Sequence, residues 1–290
     1  MVKISIIVLT YNSSQYIEPL LQSLVKKYSK KIADKVIEII IADNQSLDDT
    51  LVKVKKFSKN INIVENGGNF GYAKGNNLGA RKAKGDFLVF INPDSKFIDG
   101  DLFDVVSLLE DKSIGIVGGK IISLDNKREL SCGRFYNPLN TLFLALGLEE
   151  NFGVRFAPKK EQDVDFVSGG FLFITKKLFE RINGFDENYF MYVEDSDLCY
   201  QVRKKGFRVV FSPRATIQHV GQGSSNRTFA IVNIYKGLLY YSRKNGGRIN
   251  YFIVKLMLMI KARVLVLVGK IRNNKYLVDT YTEAIKELTN

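Results

Sequence analysis

Apolar runs rich in β-branched residues alternate with helical patterns along the first third of the chain. Ile4–Leu9 and Val36–Ile41 are such runs, and residues 16–28 between them carry apolar side chains at helical spacing. The series continues with a helix, a strand, a helix and a strand, at 48–58, 61–64, 74–84 and Phe87–Ile91. Strands that alternate with helices predict an α/β fold, in which a parallel sheet has helices on both faces.

The alternation weakens after residue 115. A strand at Gly115–Gly118, a polar stretch to about 165, and strands at Phe166–Thr175 and Arg208–Phe211 predict a sheet extended by mixed strands, which forms the second wall of a cleft. Residues 229–270 are helical in character. We therefore expect a main domain over 1–228 and a helical extension over 229–290.

The charge of the chain is unevenly distributed. The net charge is +13, yet Leu198 to Val278 contains 16 Lys and Arg and no Asp or Glu, so subtracting these 16 charges from +13 leaves about −3 for the remainder. In residues 249–268 the basic side chains are interleaved with long aliphatic runs. This pattern suits an anionic membrane surface better than a nucleic acid.

The extension permits more than one arrangement. Lys255, Lys261 and Arg263 make a membrane-spanning helix costly, and an interfacial helix fits better. A core-packed helix pair or a dimer interface is the alternative.

The two cysteines, Cys132 and Cys199, lie far apart and form no CxxC pair, so neither a disulfide framework nor a thiolate zinc site is indicated. That usage fits a reducing cytosol.

Polar residues follow three of the predicted strands, where ligands bind in sheets of this class. They are Thr10-Tyr11-Asn12, Asp43-Asn44 and Asn92-Pro93-Asp94. Asp43 is placed to accept a hydrogen bond from a base or a ribose hydroxyl, or else belongs to the polar residues that cap the helix at 50. Asp94 is a single carboxylate of the kind that holds Mg²⁺ or Mn²⁺ together with diphosphate oxygens.

Residues 66–79 are dense in glycine and asparagine and include Gly71, Lys74 and Asn76. Such a segment allows a backbone to approach a ligand closely and supplies neutral amide donors. It matches neither the dinucleotide pattern GxGxxG nor the phosphate loop GxxxxGK[ST], which disfavours a dehydrogenase or a P-loop NTPase.

Three carboxylates, Glu194, Asp195 and Asp197, follow an aromatic and apolar run. Acidic residues at this spacing are typical of a helix start, where they offset the positive end of the helix dipole. The hydrophobic lead-in equally indicates a catalytic base at the mouth of a pocket. His219 is the only histidine and is either structural or a metal ligand.

These motifs, in this order, resemble glycosyltransferase family 2, and most closely its bacterial and archaeal rhamnosyltransferase-like branch. The resemblance covers about residues 3–225. It rests on the motifs Ile-Ser-Ile-Ile-Val-Leu-Thr-Tyr-Asn, Ile-Ala-Asp-Asn-Gln-Ser-Leu-Asp-Asp-Thr, Asn-Phe-Gly-Tyr-Ala-Lys-Gly-Asn-Asn-Leu-Gly, Asn-Pro-Asp, Ser-Gly-Gly-Phe, Gly-Phe-Asp-Glu and Glu-Asp-Ser-Asp-Leu, followed by His219. Gln201 stands where an arginine is common in the family, which is a departure on the acceptor side.

The resemblance implies a GT-A fold, a nucleotide-diphosphate sugar donor, a divalent metal (Mg²⁺ or Mn²⁺) and inversion at the anomeric carbon. It implies Asp195 as the base, Glu194 as a neighbour that shares acceptor binding, and Asp94 with His219 at the metal. The donor-binding residues expected from the motifs are Thr10, Tyr11, Asn12, Asp43, Asn44, Gly71, Lys74, Asn76 and Asn92.

The predicted function is an inverting glycosyltransferase that acts on a glycan or polyprenol-linked acceptor at the cytosolic face of the membrane. Two alternatives belong to other classes. A sugar-phosphate nucleotidyltransferase also needs a metal-binding Asp at the sheet edge, but it requires a further metal-binding carboxylate and a basic phosphate loop. A non-catalytic nucleotide-sugar binding protein is the other, and the presence of both Asp94 and Asp195 argues against it.

Overall fold

The computed structural model describes residues 2–219 and 227–289. The first part is an alternating series of seven elements: β1 Ile4–Thr10, α1 Ile17–Ala33, β2 Ile37–Asp43, α2 Thr50–Lys55, β3 Asn62–Glu65, α3 Gly71–Lys82 and β4 Phe87–Ile91. Each predicted element of this part is present, with shifts of a few residues at its ends. The last six residues of the motif-bearing region, 220–225, lie outside the described residues.

The second part has shorter and less regular elements. They are β5 Ser95–Gly100, α4 Leu102–Val106 with the 3-10 turn Ser107–Glu110, β6 Ile114–Ile122, β7 Cys132–Gly133, α5 Pro138–Leu146, β8 Arg155–Phe156, β9 Gln162–Asp163, β10 Phe166–Val167, β11 Phe171–Thr175, α6 Lys176–Arg181, α7 Glu194–Lys204, β12 Arg208–His219, α8 Arg227–Ile271 and α9 Lys275–Thr289. The strand expected over Phe166–Thr175 is divided by a loop at 168–170.

The main sheet is mixed, as the sequence predicts. Its strand order is β3-β2-β1-β4-β11-β6-β12-β5, and β9 adds a short pairing to β12. β3, β2, β1 and β4 are parallel, whereas β11 runs antiparallel to both of its neighbours. β12 is parallel to β6 and antiparallel to β5. The carboxyl ends of β1, β2 and β4 therefore meet at one edge of the sheet.

The central strands are apolar throughout because both of their faces are covered. On one face, Ile6 and Val8 belong to a core cluster with Leu20 and Leu24 of α1. On the other face, Ile7 belongs to a second core cluster, which also includes residues of α3, α7 and α8. All seven residues of β1 and of β2 are buried.

The helix α8 is interrupted at Gly247, whose φ of 77° and ψ of −176° are not helical. The first half packs on the main domain through ring contacts of Tyr240 with Tyr189 and of Tyr241 with Tyr200. The second half packs against α9, where Leu277 lies close to Gly269. The predicted boundary at 228 falls in the first turn of α8.

The second half of α8 buries one face and exposes another that is also apolar. Val254, Leu258 and Ala262 are buried. The opposite side carries eight exposed apolar residues at steps of three or four, apart from the adjacent pair Phe252 and Ile253. We name these eight residues the apolar stripe: Ile249, Phe252, Ile253, Leu256, Ile260, Val264, Leu267 and Ile271. The stripe is about 33 Å long at 1.5 Å per residue. Among residues 2–219 and 227–289, no helix combines the length and the apolar character that crossing a membrane requires.

Candidate active site

The carboxyl ends of β1 and β2 are joined through the side chain of Asp43. Its carboxylate accepts hydrogen bonds from Thr10 Oγ1 at 2.7 Å, from Ser46 Oγ at 2.6 Å and from the Ser46 backbone N–H at 2.8 Å. Thr10 and Asp43 are fully buried and face each other across the two strands. Asp48, not Asp43, accepts from the first backbone N–H of α2, that of Thr50, at 3.0 Å.

Tyr11 and Asn12, the next two predicted donor-binding residues, directly follow Thr10 of this buried pair in the sequence. Tyr11 is 39% exposed and is therefore available to a ligand. Asn12 adopts a left-handed backbone with φ of 48°. Its backbone N–H donates to Ser46 Oγ at 2.9 Å, and its Oδ1 accepts from the Leu47 N–H at 2.8 Å. Asp43 and Asn12 thus hold the loops after β1 and β2 in one arrangement.

The glycine and asparagine segment forms the adjacent wall. Asn44 is buried and its amide donates to the carbonyl oxygen of Gly71 at 3.0 Å. Gly71 has a φ of 74°, and a Cβ there would lie 2.1 Å from the carbonyl oxygen of Phe190, so only glycine fits. Lys74 Nζ lies 4.2 Å from the centre of the Phe70 ring. Asn76 is buried and its amide donates within α3 to the carbonyl oxygen of Tyr72 at 3.0 Å.

Asp94 and His219 are brought together from distant parts of the sequence. Ser95 of β5 pairs with His219 of β12, which places His219 Nε2 3.3 Å from Asp94 Oδ1. Glu129 lies on the other side of the ring, with its carboxylate oxygens 3.1 and 3.2 Å from Nδ1. Burial lowers the pKa of His219, but the hydrogen bonds to Asp94 and Glu129 outweigh it and raise the pKa to about 10.

The pair of Asp94 and His219 fits a divalent metal. Adjacent ligands of an octahedral ion with bonds of 2.0–2.1 Å are about 3 Å apart, which is close to the distance from Oδ1 to Nε2. Carboxylate oxygen suits both Mg²⁺ and Mn²⁺, whereas imidazole nitrogen is a ligand of first-row transition metals, so this pair favours Mn²⁺ over Mg²⁺. Within the described part of the chain, no three His, Cys, Asp or Glu side chains are grouped so that protein alone holds an ion. Two protein ligands suit a metal that shares its other positions with diphosphate and water.

Asp195 is connected to the sheet edge by the loop at 168–170. Its Oδ2 accepts from the Gly169 N–H at 3.0 Å. The carbonyl oxygen of Gly169 accepts from Tyr72 Oη at 2.7 Å, and that of Gly170 accepts from the Asn92 N–H at 3.2 Å. This loop therefore joins α3, the end of β4 and the first turn of α7.

The three carboxylates at the start of α7 have different surroundings. Glu194 is 5% exposed, and its Oε2 has no hydrogen-bond partner within the described residues. Asp197 is buried, and its carboxylate accepts from Lys244 Nζ at 2.6 Å and from the Asn245 amide at 2.8 Å. Asp195 is the only one of the three that keeps partial exposure. The helix start that the sequence predicts is confirmed, because α7 begins at Glu194.

The backbone before α7 is strained. Tyr192 and Val193 have φ values of 71° and 72°, and this left-handed region is a genuine outlier for a β-branched residue. Such a conformation costs of order 1–3 kcal/mol per residue and persists only where the surroundings enforce it. Gly237 of α8 lies against this turn, and a Cβ there would be 2.9 Å from the carbonyl oxygen of Tyr192. Strain of this kind concentrates at functional sites.

Glu194 gives a prediction for stability. Burial raises the pKa of Glu194 well above its usual range, and the charge of Asp195 raises it further. The folded protein therefore keeps a proton that the unfolded chain loses above pH 4.5, so this group weakens folding as the pH rises. We expect Glu194→Gln, which cannot ionise, to raise the free energy of unfolding at pH 8 relative to the natural protein, with a smaller difference at pH 5.

Chemical denaturation at the two pH values measures this difference. Glu150→Gln, at an exposed glutamate, is the control and is expected to change stability equally little at both. A stability change in Glu194→Gln that is the same at pH 5 and pH 8 would show that Glu194 ionises normally.

Four residues that shape the site were not predicted from the sequence. They are Ser46, Glu129, Gly169 and Lys244. The contact of Ser46 with Asp43 could have been expected, because aspartate side chains commonly accept from backbone N–H groups two or three residues further along the chain. Gly169 lies in a motif that contributed to the resemblance, but no role was assigned to it. Glu129 and Lys244 act through contacts 90 and 47 positions away in sequence, which no local pattern reports.

Comparison with known sequences assigns the family. The sequence profile of Glycosyl transferase family 2 matches residues 5–182, more than half of the chain, and a profile described as the N-terminal domain of galactosyltransferase matches 154–222. The rhamnosyltransferase WbbL of Escherichia coli is 27% identical over 237 residues, which cover 77% of this chain and 85% of that protein. An N-acetylglucosaminyl-diphospho-decaprenol L-rhamnosyltransferase of Mycobacterium tuberculosis is 26% identical, with 77% of each chain covered.

A further relative is longer than this chain. The low-salt glycan biosynthesis hexosyltransferase Agl10 of Haloferax volcanii is 26% identical over 71% of this chain, which spans 63% of that protein. Solved structures agree on the fold. The mannosyltransferase PcManGT of Pyrobaculum calidifontis, in complex with GDP-Man and Mn²⁺, has a TM-score of 0.59 at 17% identity. The match covers 99% of this chain and 85% of that chain. GalNAc-T7 with UDP, GalNAc and Mn²⁺ has a TM-score of 0.61 at 16% identity over 84% of this chain, and 48% of that chain is matched.

The mixed sheet, the polar edge formed by β1, β2 and β4, and the sequence relatives lead to one assignment. The GT-A fold expected from the motifs is confirmed by the solved structures. The chain belongs to glycosyl transferase family 2 and is a glycosyltransferase of its rhamnosyltransferase-like branch.

Proposed function

We propose that the protein is an inverting glycosyltransferase that moves a sugar from a nucleotide-diphosphate donor to a glycan or lipid-linked glycan. The observation that carries the proposal is the link between Asp195 and the sheet edge. Asp195 binds the Gly169 N–H, and the next residue, Gly170, binds Asn92, which precedes Asp94 by two positions. A partly exposed carboxylate thus lies one short loop away from the pair of Asp94 and His219.

In the proposed mechanism, Asp195 has a different role from the pair of Asp94 and His219. Asp195 takes the proton from the acceptor hydroxyl as that oxygen attacks the anomeric carbon, and the bond from this carbon to the diphosphate oxygen breaks. A single displacement of this kind inverts the configuration. Asp94 and His219 would hold Mg²⁺ or Mn²⁺, which supplies positive charge for the departing diphosphate. Glu194 is adjacent to the base in sequence but is buried, so we assign contact with the acceptor to Asp195 rather than to Glu194.

The nucleoside would lie at the ends of β1 and β2. Tyr11 is exposed there and supplies the direct contact, while Thr10, Asn12 and Asp43 fix the shape of the loops. Asn44, Gly71 and Asn76 are engaged within the protein and form the wall of this subsite. Lys74 and Asn92 flank it, and Lys74 is a cation available to the donor diphosphate.

The names of the relatives suggest the substrates. Two of them are rhamnosyltransferases, and one name specifies an N-acetylglucosaminyl-diphospho-decaprenol acceptor. We therefore propose a nucleotide-activated rhamnose as the donor and a polyprenol-linked or cell-surface glycan as the acceptor. Membership of the family disfavours the nucleotidyltransferase alternative.

Calorimetric titration of the full chain with a panel of nucleotide sugars, each with and without Mn²⁺, tests the proposal. We expect one nucleotide-activated sugar, a deoxyhexose of the rhamnose type, to bind most tightly, and to bind far more weakly when the metal is omitted. Failure of every nucleotide sugar to bind would overturn the proposed function.

We further propose that residues 229–290 associate with an anionic membrane and place the protein at the cytosolic face. The apolar stripe is flanked by exposed basic residues, among them Arg248, Arg263 and Lys270. A helix with an exposed apolar side and basic flanks matches a surface of anionic headgroups over acyl chains. Lys and Arg stems lie along the apolar side while their charges reach the headgroups.

The membrane proposal predicts the effect of a triple change in the stripe. Burying a leucine or isoleucine side chain is worth about 1.5 kcal/mol or more, so Leu256→Ser, Ile260→Ser and Leu267→Ser together should weaken binding to anionic vesicles by about 10³-fold. The control replaces three exposed apolar residues outside the extension, Val52, Ile98 and Leu124, with Ser. Sedimentation with vesicles that contain phosphatidylglycerol measures the binding, and equal binding of both triple variants would contradict the proposal.

A further inference from the structure

The carboxylate of Glu129 faces the ring nitrogen of His219 that lies away from Asp94. Both of its oxygens are within 3.2 Å of Nδ1, while Nε2 is directed at Asp94. The side chains of His219 and Glu129 are 21% and 31% exposed, so the pair is only partly open to solvent. A metal can bind Nε2 only when the proton on that nitrogen is displaced, and the ring proton that remains on Nδ1 then needs an acceptor.

The fold holds Glu129 at this position through the hairpin that follows β6. The Glu129 N–H donates to the carbonyl oxygen of Ile121 at 3.0 Å, and Ile122 forms a bridge with Arg128. Ile122 is also paired with Gln218, the residue before His219. The hairpin therefore brings the carboxylate beside the end of β12, although Glu129 and His219 are 90 positions apart.

The chemistry of a metal-bound histidine gives Glu129 a role. For Nε2 to offer its lone pair to a metal, the ring proton has to be on Nδ1, where an acceptor stabilises it. A carboxylate at Nδ1 holds this tautomer, fixes the ring orientation and makes Nε2 more basic. We propose that Glu129 is a positioning residue that prepares His219 to hold the metal of the donor diphosphate. This inference rests on the proposed metal role of Asp94 and His219.

The experiment compares Glu129→Gln and Glu129→Ala with the natural protein. Mn²⁺ affinity is measured from the electron paramagnetic resonance signal of free Mn²⁺, in the presence of the nucleoside diphosphate of the donor selected by the binding panel. We expect Glu129→Ala to weaken Mn²⁺ binding by about 10- to 100-fold, the usual effect of losing such a partner. Glu129→Gln keeps a carbonyl oxygen that can accept from Nδ1–H, so its Mn²⁺ affinity should lie between those of the natural protein and Glu129→Ala. Glu150→Gln, at an exposed glutamate, is the control.

A purely structural role of Glu129 would lower the midpoint of thermal unfolding without metal and leave Mn²⁺ affinity unchanged. We also expect the kcat of Glu129→Gln to recover at saturating Mn²⁺. If the natural protein binds Mn²⁺ and both Glu129 variants bind it equally well, the inference is wrong while the proposed function stands. If the natural protein binds its donor equally without metal, the proposed metal role fails, and the inference with it.

Discussion

Asp195→Asn is expected to lower kcat by about 10²- to 10⁴-fold, the range that a general base contributes. The amide keeps the shape of the side chain and an oxygen for the Gly169 N–H, but it does not take up the proton of the acceptor hydroxyl. Donor affinity should therefore remain nearly unchanged, since Asp195 is assigned to the acceptor side. Calorimetry gives the donor affinity, and transfer of radiolabelled sugar to a membrane extract gives the rate.

The control for this change is Asp34→Asn, at an exposed aspartate at the end of α1. It removes the same charge far from the sheet edge and should leave kcat unaltered. A kcat for Asp195→Asn close to that of the natural protein would show that the base is another residue. Glu194 would then be the first to test, because its carboxyl group is adjacent in sequence.

Asp94→Asn is expected to weaken metal-dependent donor binding by at least about 100-fold, because loss of a partner that only orients a ligand already costs about 10- to 100-fold. A neutral amide is a weaker ligand than a carboxylate for Mg²⁺ or Mn²⁺, and His219 then remains as the only other protein ligand we propose. Calorimetric titration of the donor with and without Mn²⁺ measures the effect. The variant should bind the donor with the low affinity that the natural protein shows without metal.

Asp99→Asn is the matched control, since Asp99 is an exposed residue of the same strand region. Retention of Mn²⁺-dependent donor binding in Asp94→Asn would remove Asp94 from the metal site. The pair of Asp94 and His219 would then be a structural ion pair.

The first half of the fold was predictable because each of its elements has a recognisable pattern within its own short stretch of sequence. β1, β2 and β4 are covered on both faces, so each is an unbroken apolar run between polar loops. β4 has the bounds that the sequence predicts, and the other elements of this part differ by a few residues. α3 begins earlier than predicted, at Gly71, because the carbonyl oxygen of Phe190 accepts from the Tyr72 N–H at 2.6 Å and anchors its first turn.

The region between β6 and β11 was predicted poorly. β7, β8 and β9 have two residues each, which is too short for a periodic signal. The helix α5 does carry local marks, with Asn137 capping its start and Gly147 at φ 71° ending it, but it lies within a stretch interpreted as polar loop. Glu129 lies in the same region and was missed for the same reason.

Some of the site residues could be predicted because they lie at strand ends, whereas the surroundings of others depend on packing between distant segments. Thr10 and Asp43 end buried strands and Asp94 follows one, so their common edge was expected from the topology of parallel sheets. The distinct surroundings of Glu194, Asp195 and Asp197 were not, because they depend on Lys244 and Asn245 of α8. The first half of α8 thus supports the helix that carries the proposed base.

The extension forms one of the arrangements that the sequence left open, the core-packed helix pair, and the interfacial arrangement is untested. A helix pair forms, with Leu258 and Ala284 in the core, and the apolar stripe remains exposed on the other side. The periodicity identified an apolar helix but not which side would be covered, since both sides are apolar. Its contact with a membrane remains a prediction.

The stereochemistry of transfer tests the central claim most directly. With the donor selected by the binding panel and an acceptor that is turned over, proton NMR of the product gives the anomeric configuration of the new linkage. A single displacement assisted by Asp195 predicts a product whose configuration is opposite to that of the donor. A product that retains the configuration of the donor would contradict the account.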